Sequence, residues 1–331
     1  MKLRNMSRTE FLKWGVVSTI VNCKNSSRSS KVLETLLLRS TKKILILGAG
    51  MAGISCGRAL LDRGYLNLTI LEANTRIGGR IHSLPVGSGV LDLGAAWIHG
   101  YSNNPLTPYA RRLNLTTILT DDNNVMAFRE GVGALPEDLV DVYENTYESI
   151  LENASQLRFA DKSMKDVIQT IYPSFFSDPI LSSFIAANEE FDIGGDVSQV
   201  SSAYFDDDAT FQGGDVVMVE GYSKLIQYLA NGLDVRLQHE VSTIGRFGTG
   251  FSVTTNRGIF AADIVICALP LGVLQSGKII FDPPISNAKS NAIQRLGTGA
   301  VNKVFIEYPG PFWDTGKQYM NYFSSEKGKF S

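Results

Sequence analysis

Three glycines, Gly48, Gly50 and Gly53, follow the apolar run Ile44–Leu47 and open a stretch, Ala52–Arg63, that reads as a helix stopped by Gly64. With Ala49, Met51 and Ala52 between them they form G-x-G-x-x-G. The first glycine allows the tight strand-to-helix turn. The second lets a pyrophosphate approach the backbone, and the third lets the helix sit close to its strand. The N-terminus of such a helix offers unpaired N–H groups and a positive dipole end to phosphates. Glu72 closes a second apolar run, Leu68–Leu71, 24 residues after Gly48. A carboxylate there accepts from ribose hydroxyls and repels a 2′-phosphate. Ala73 follows it, and then R-x-G-G-R from Arg76 through Gly79 to Arg80. A lone fingerprint is weak, and the competing reading is a glycine-rich turn in an unrelated α/β protein. Here strand, helix and acid all fall where dinucleotide binding needs them.

The elements that must hold these residues begin as β-α-β from Thr41. VGSGVLDLGAAW (86–97) reads as a turn, a short strand and a close backbone approach. Residues 135–187 read as largely helical, with Leu139, Val142, Tyr143, Tyr147, Ile150 and Leu151 at spacings of three and four. That interrupts the α/β alternation, so a second domain is expected to be inserted in the first. Lys224–Leu229 reads as a helix, and Asp234–Leu237, Gly250–Thr255 and Ile264–Ala268 as strands. The expected division is a basic leader (1–40), a dinucleotide-binding domain (41–105 and 213–285) and a second domain (106–212 and 286–331). The acid run Asp206–Asp208 reads as a solvated turn.

Composition bounds the rest. The 331 residues, 44% of them hydrophobic, suffice for one large or two ordinary domains. No apolar run approaches the roughly 18 residues of a membrane span. Cys23, Cys56 and Cys267 are odd in number and far apart, which argues against a disulfide framework or a metal site. Cys56 and Cys267 fall in a helix and a strand and are expected as core thiols. His82, His99 and His239 show no ligand spacing, so no metal is expected. Residues 1–43 hold ten Lys/Arg and two acids, so of 31 basic and 33 acidic residues 21 and 31 remain, a net charge of −10 in the body. An acidic body does not suit nucleic acid but is compatible with a cationic substrate. In the leader, SRTEFLK resembles a twin-arginine export signal with Thr9 in place of the second arginine. A disordered basic leader and an organellar transit peptide are the competing readings, so the compartment stays open between cytoplasm and export.

Eight blocks in order, GAGMAGISCGRAL, LEANTRIGGR, LDLGAAWIHG, VVMVEGYSKLI, LQHEV, VICALPLGVL, FDPP and LGTGAVNKVFIEYPGPFW, make the chain from about Lys42 resemble the flavin-containing amine oxidases. That family includes polyamine oxidases, monoamine oxidases and the catalytic domain of lysine-specific histone demethylases. The resemblance implies an α/β fold with a Rossmann-like FAD-binding domain of the glutathione-reductase type and an inserted α+β substrate domain. It implies FAD as cofactor. Arg80 then approaches the flavin phosphates or ring edge, where a guanidinium fork suits phosphate. Gly94, Ala95, Ala96 and Trp97 pass close to the flavin ring, and the Val241 backbone meets the adenine. On residue type alone Val241 is an ordinary strand residue. Lys303, in an apolar run that reads as a strand, is by itself better read as exposed than as buried. The resemblance makes it the lysine that holds a water at flavin N5, and burial would lower its pKa. His99 in W-I-H-G matches a histidine near the substrate amine, against the reading of a turn histidine. Glu190 matches an acid of the polyamine tunnel, against a solvated helix-end glutamate.

The implied reaction takes a hydride from an amine's α-carbon to flavin N5, giving an imine that hydrolyses to an aldehyde, with O2 converted to hydrogen peroxide. W-I-H-G leans toward polyamines. L-amino-acid or monoamine oxidation is the alternative, and a demethylase role is disfavoured because no long antiparallel helical insertion interrupts the chain. The expected partners are a small amine and O2, with no nucleic acid, and the oligomeric state stays open. The family's later G-E and G-A-x-x-S-G blocks do not occur after PGPFW. The chain is therefore expected to lack the C-terminal part of its fold, and a non-catalytic truncated product is a further alternative.

Overall fold

A computed structural model describes residues 41–205 and 210–326. The leader with Cys23, the Asp206–Asp208 run and the last five residues lie outside the described residues. The chain is mixed α/β and divides into two compact units. One runs to Ala96 and resumes over Glu220–Leu296; the other holds Trp97–Val219 and the chain from Gly297 on. The breaks fall at 96/97, 219/220 and 296/297, against the expected 105/106, 212/213 and 285/286; the first comes early where Trp97 already pairs with Val217.

In the first unit β1 (Ile44–Leu47) is buried along its whole length, as a strand with neighbours on both sides must be. α1 (Met51–Asp62) buries Gly53, Ile54 and Gly57. β2 (Leu68–Leu71) pairs in parallel with β1, Ile44 opposite Leu68. β3 (Ser83–Val86) and β4 (Gly89–Asp92) make an antiparallel hairpin.

In the second unit β5 (Trp97–Ile98) is followed by α2 (Thr107–Arg112), β6 (Thr117–Leu119), β7 (Val125–Arg129) and β8 (Gly133–Ala134). The helices α3 (Glu137–Gln156), α4 (Met164–Ile171) and α5 (Pro179–Ile185) come next. Glu137 and Asp138 sit in the first turn of α3, where the helix dipole favours acids. Its buried stripe is Val140, Tyr147, Ile150 and Ala154, whereas Leu139 and Val142 face solvent. The 3.6-residue period is kept, and Tyr147 and Ile150 lie on it as expected with Tyr143 and Leu151 packed against the same cluster; Leu139 and Val142 depart from the expected face. α4 starts with a capping box between Ser163 and Asp166, and α5 with Asp178 accepting from the N–H groups of Ile180 and Leu181. A π-helical turn, Ala186–Glu190, leads into α6 (Phe191–Ile193), and β9 (Val216–Met218) ends this segment.

The chain returns to the first unit with α7 (Ser223–Ala230), β10 (Asp234–Arg236), β11 (Val241–Phe247), β12 (Gly250–Thr255), β13 (Gly258–Ala262) and β14 (Ile264–Cys267). α8 (Leu271–Gln275), β15 (Ile280–Asp282) and α9 (Asn287–Arg295) complete it. Its parallel sheet has the order β10-β2-β1-β14, and a second sheet the order β13-β12-β11-β15. Cys56 is partly buried and Cys267 exposed. Cys267 ends a strand that, among the described residues, has a neighbour on one side only, which corrects the expectation of a core thiol.

The second unit is closed by β16 (Tyr319–Phe323), parallel to β7 in the order β16-β7-β8, beside a sheet of order β5-β9-β6. The segment around Lys303 is not a strand, as its apolar run had implied. No ladder among the described residues includes it, and Val304 and Ile306 are 84% and 69% exposed.

Candidate functional site

The glycine loop is shaped by contacts that exclude side chains. Gly48 turns the chain with φ +100°, and a β-carbon there would lie 2.9 Å from the Ala268 carbonyl oxygen. A β-carbon on Gly53 would collide with the Gly48 carbonyl oxygen. Gly50 differs, because nothing lies within 4 Å of where its β-carbon would be. It opens onto free space at the start of α1, where the first N–H groups have no partner within the helix. Glu72 reaches across from the end of β2: Oε2 accepts from Ala49 N–H at 2.7 Å and Oε1 from Asn74 N–H at 2.8 Å. A carboxylate offers about four lone-pair sites, so capacity remains for ribose hydroxyls. Ala73 beside it is exposed. Backbone bonds from Gln238 to Asn74 and from His239 to Glu72 lay the start of β11 along this segment. Val241 is thereby buried in one cluster with Leu71.

R-x-G-G-R lies over the glycine loop. Gly78 N–H donates to Ala49 at 2.8 Å, and Gly50 and Gly78 form an isolated bridge. The Arg76 guanidinium donates to the carbonyls of Ile81 at 3.0 Å and Gly79 at 2.9 Å, so it builds the loop from within. Arg80 is exposed, and its carbonyl accepts from Ala95 N–H at 3.1 Å. That bond explains Gly94, whose β-carbon would strike the Arg80 carbonyl oxygen. Ala95 is exposed and Ala96 buried. The glycine loop, Glu72, R-x-G-G-R and Val241 thus come together in one unit and fit a dinucleotide.

In the second unit β5 carries Trp97 and leads to His99. Ile98 lies opposite Val216 in antiparallel register, so the next residue, His99, comes opposite Asp215. His99 Nδ1 is 2.5 Å from Asp215 Oδ2, and Oδ1 accepts from Gly100 N–H at 2.8 Å. On the other side of β9 the Asp215 carbonyl accepts from Thr120 N–H at 2.9 Å. Asn104 Nδ2 donates to the His99 carbonyl at 2.7 Å. Asp192, from α6, stands in the field of this pair. Desolvation first, with help from the charges of Asp215 and Asp122, raises its pKa, while His99 opposes the rise. Lys303 Nζ lies 5.1 Å from the Trp97 ring centroid, a cation–π distance. Glu190 is half-buried in the π-helical turn, and its Oε1 accepts from Val197 N–H at 3.0 Å, a structural duty. Beside it Glu189 takes the Tyr147 hydroxyl at 3.1 Å. Asp215 and Asp192 were not singled out in the sequence. Only the β5–β9 register brings Asp215, 116 positions away, beside His99. Among the described residues no group of acids, histidines or cysteines could hold a metal ion, and no helix is long and apolar enough to cross a membrane.

The glycine loop at the start of α1, with Glu72 and R-x-G-G-R against it, has the chemistry to take a dinucleotide cofactor. The family model of the flavin-containing amine oxidoreductases matches residues 51–329, and the chain belongs to that family. Its cofactor class is therefore flavin. The chain is similar to polyamine oxidase 2 of Arabidopsis thaliana, with 32% identity over 82% of this chain and 59% of the relative. Polyamine oxidase 4 of Oryza sativa subsp. japonica is 31% identical over 83% of this chain and 60% of its own length. Lysine-specific histone demethylase 2 of Homo sapiens is 31% identical over 88% of this chain and 38% of its own. The chain thus spans about 60% of the length of these polyamine oxidases.

Proposed function

We propose that the protein oxidises a polyamine with FAD as cofactor. The observation that carries the substrate class is the Asp215 carboxylate set against the His99 ring, just past the end of β5. A polyamine is a cation along its length and must lose a proton only at the reacting nitrogen. Carboxylates favour its charged amines, and a neutral imidazole can take up the one proton. In this reading the unit with the parallel sheet is the Rossmann-like FAD-binding domain, and the unit that starts at Trp97 recognises substrate. Gly48–Gly53 hold the pyrophosphate at the start of α1, Glu72 and Ala73 the ribose, and Val241 the adenine. Gly79 and Arg80 reach the phosphates or ring edge, and Gly94–Trp97 lie along the ring. Bound FAD supplies the acceptor for the α-hydride. His99 and Lys303 manage protons and water at the amine, with Trp97 positioning the lysine. Glu190 serves the turn that carries Asp192.

The 31% identity to a histone demethylase favours a second reading, a methylated amine on a peptide. One experiment separates the two. The purified protein is expected to show the visible bands of oxidised flavin, which bleach anaerobically with spermine. Bleaching with a methyl-lysine peptide or an L-amino acid and not with spermine would replace the polyamine reading.

A further inference from the structure

We propose that Asp215 is a positioning residue for His99: it holds the proton on Nδ1, so that Nε2 of the neutral ring is the acceptor offered to the substrate amine. Its value in turnover rests on the amine-oxidase reading; the tautomer itself does not. The two sides of the pair come from antiparallel strands. The β5–β9 register brings Asp215 opposite His99, and β6 on the far side of β9 pins the same residue through Thr120 N–H at 2.9 Å. The Asp215 main chain is therefore held directly on the β6 side, and on the β5 side through its neighbour Gly214, whose carbonyl accepts from Tyr101 N–H at 3.0 Å. Oδ1 accepts from Gly100 N–H at 2.8 Å, which aims Oδ2 at the His99 ring, where Nδ1 lies 2.5 Å away. An ionised carboxylate only accepts, so the nitrogen facing it must carry the hydrogen. The other ring nitrogen then keeps its lone pair. The His99 main chain is held in turn by Asn104, itself nearly buried. His99 is 70% exposed at its side chain, so Nε2 is accessible to a ligand while Nδ1 is taken.

Substitution of Asp215 by Asn separates orientation from architecture. The amide oxygen can still accept from Gly100 N–H, but the group then presented to Nδ1 is an N–H donor. The ring must answer with its lone pair, which moves the proton to Nε2. Selective 15N labelling of the three histidines, with His99→Gln to assign the signal, reads the tautomer in the full chain. The wild type is expected to show the Nδ1–H form and Asp215→Asn the Nε2–H form. With spermine, Asp215→Asn is expected to lower kcat about 100-fold, the scale of one proton-transfer group, with KM changed far less. A wild-type His99 protonated at Nε2 would overturn the inference without any variant, and so would an unchanged tautomer in Asp215→Asn. If the tautomer switches while the wild type does not bleach with any amine, the positioning role stands and the amine-oxidase reading falls.

Discussion

Gly50 and Gly53 stand three positions apart in one loop, yet their missing side chains answer different demands. At Gly53 the obstacle is protein: a β-carbon would overlap the Gly48 carbonyl oxygen. At Gly50 no protein atom lies within 4 Å of where a β-carbon would be, and the backbone, at φ −74° and ψ −177°, suits any L-residue. Gly53→Ala should therefore act on folding, at about 1–3 kcal/mol for a forced overlap in a packed site. Gly50→Ala should change stability by no more than about 1 kcal/mol, because a poorer cap and a less flexible unfolded chain oppose each other. It should nonetheless weaken flavin binding at least tenfold, or about 1.4 kcal/mol, by placing a methyl where the pyrophosphate approaches. Chemical unfolding of the apoprotein and flavin titration of each variant give the comparison. Normal flavin affinity in Gly50→Ala would remove the phosphate from this loop.

At the scale of elements, the helical core depends on a strand distant in sequence. Phe323 of β16 is 2% exposed and packs in one cluster with residues of α3, α4 and α5, its ring 5.6 Å from that of Phe184. Phe323→Ala should cost about 3–5 kcal/mol. Native-state hydrogen exchange should show the loss in α3–α5; unchanged protection there would deny β16 this role. The same contrast between local and distant partners explains what could be read beforehand. The glycine loop, Glu72 and the strands Gly250–Thr255 and Ile264–Cys267 are written in local spacing, and they were legible. A strand also needs a neighbour to bond with, and the apolar run around Lys303 cannot report whether one is present. Burial of Cys267 likewise turned on its place at a sheet edge, and that of Leu139 and Val142 on where the core meets the first turns of α3. The His99–Asp215 pair needed a register between strands more than a hundred residues apart, which no window of sequence contains.

Charge belongs to the whole molecule. Beyond residue 43 the chain carries a net charge of −10, against −2 over all 331 residues, and the Asp215 carboxylate beside His99 belongs to that acidic body. A polycation approaching such a body is drawn in over distances set by the Debye length, about 8 Å at physiological salt and longer in dilute buffer. If polyamines are the substrates, encounter should be steered by this field while the chemical step, inside the site, should not. Raising ionic strength should therefore lower kcat/KM for a tetra-amine several-fold and leave kcat nearly unchanged. A monoamine of similar reactivity, with a single charge, should lose much less. Steady-state rates for the two amines across a salt series measure the difference. Equal loss for both would mean that salt acts on the protein itself, and that the acidic body does not select for charge along the substrate.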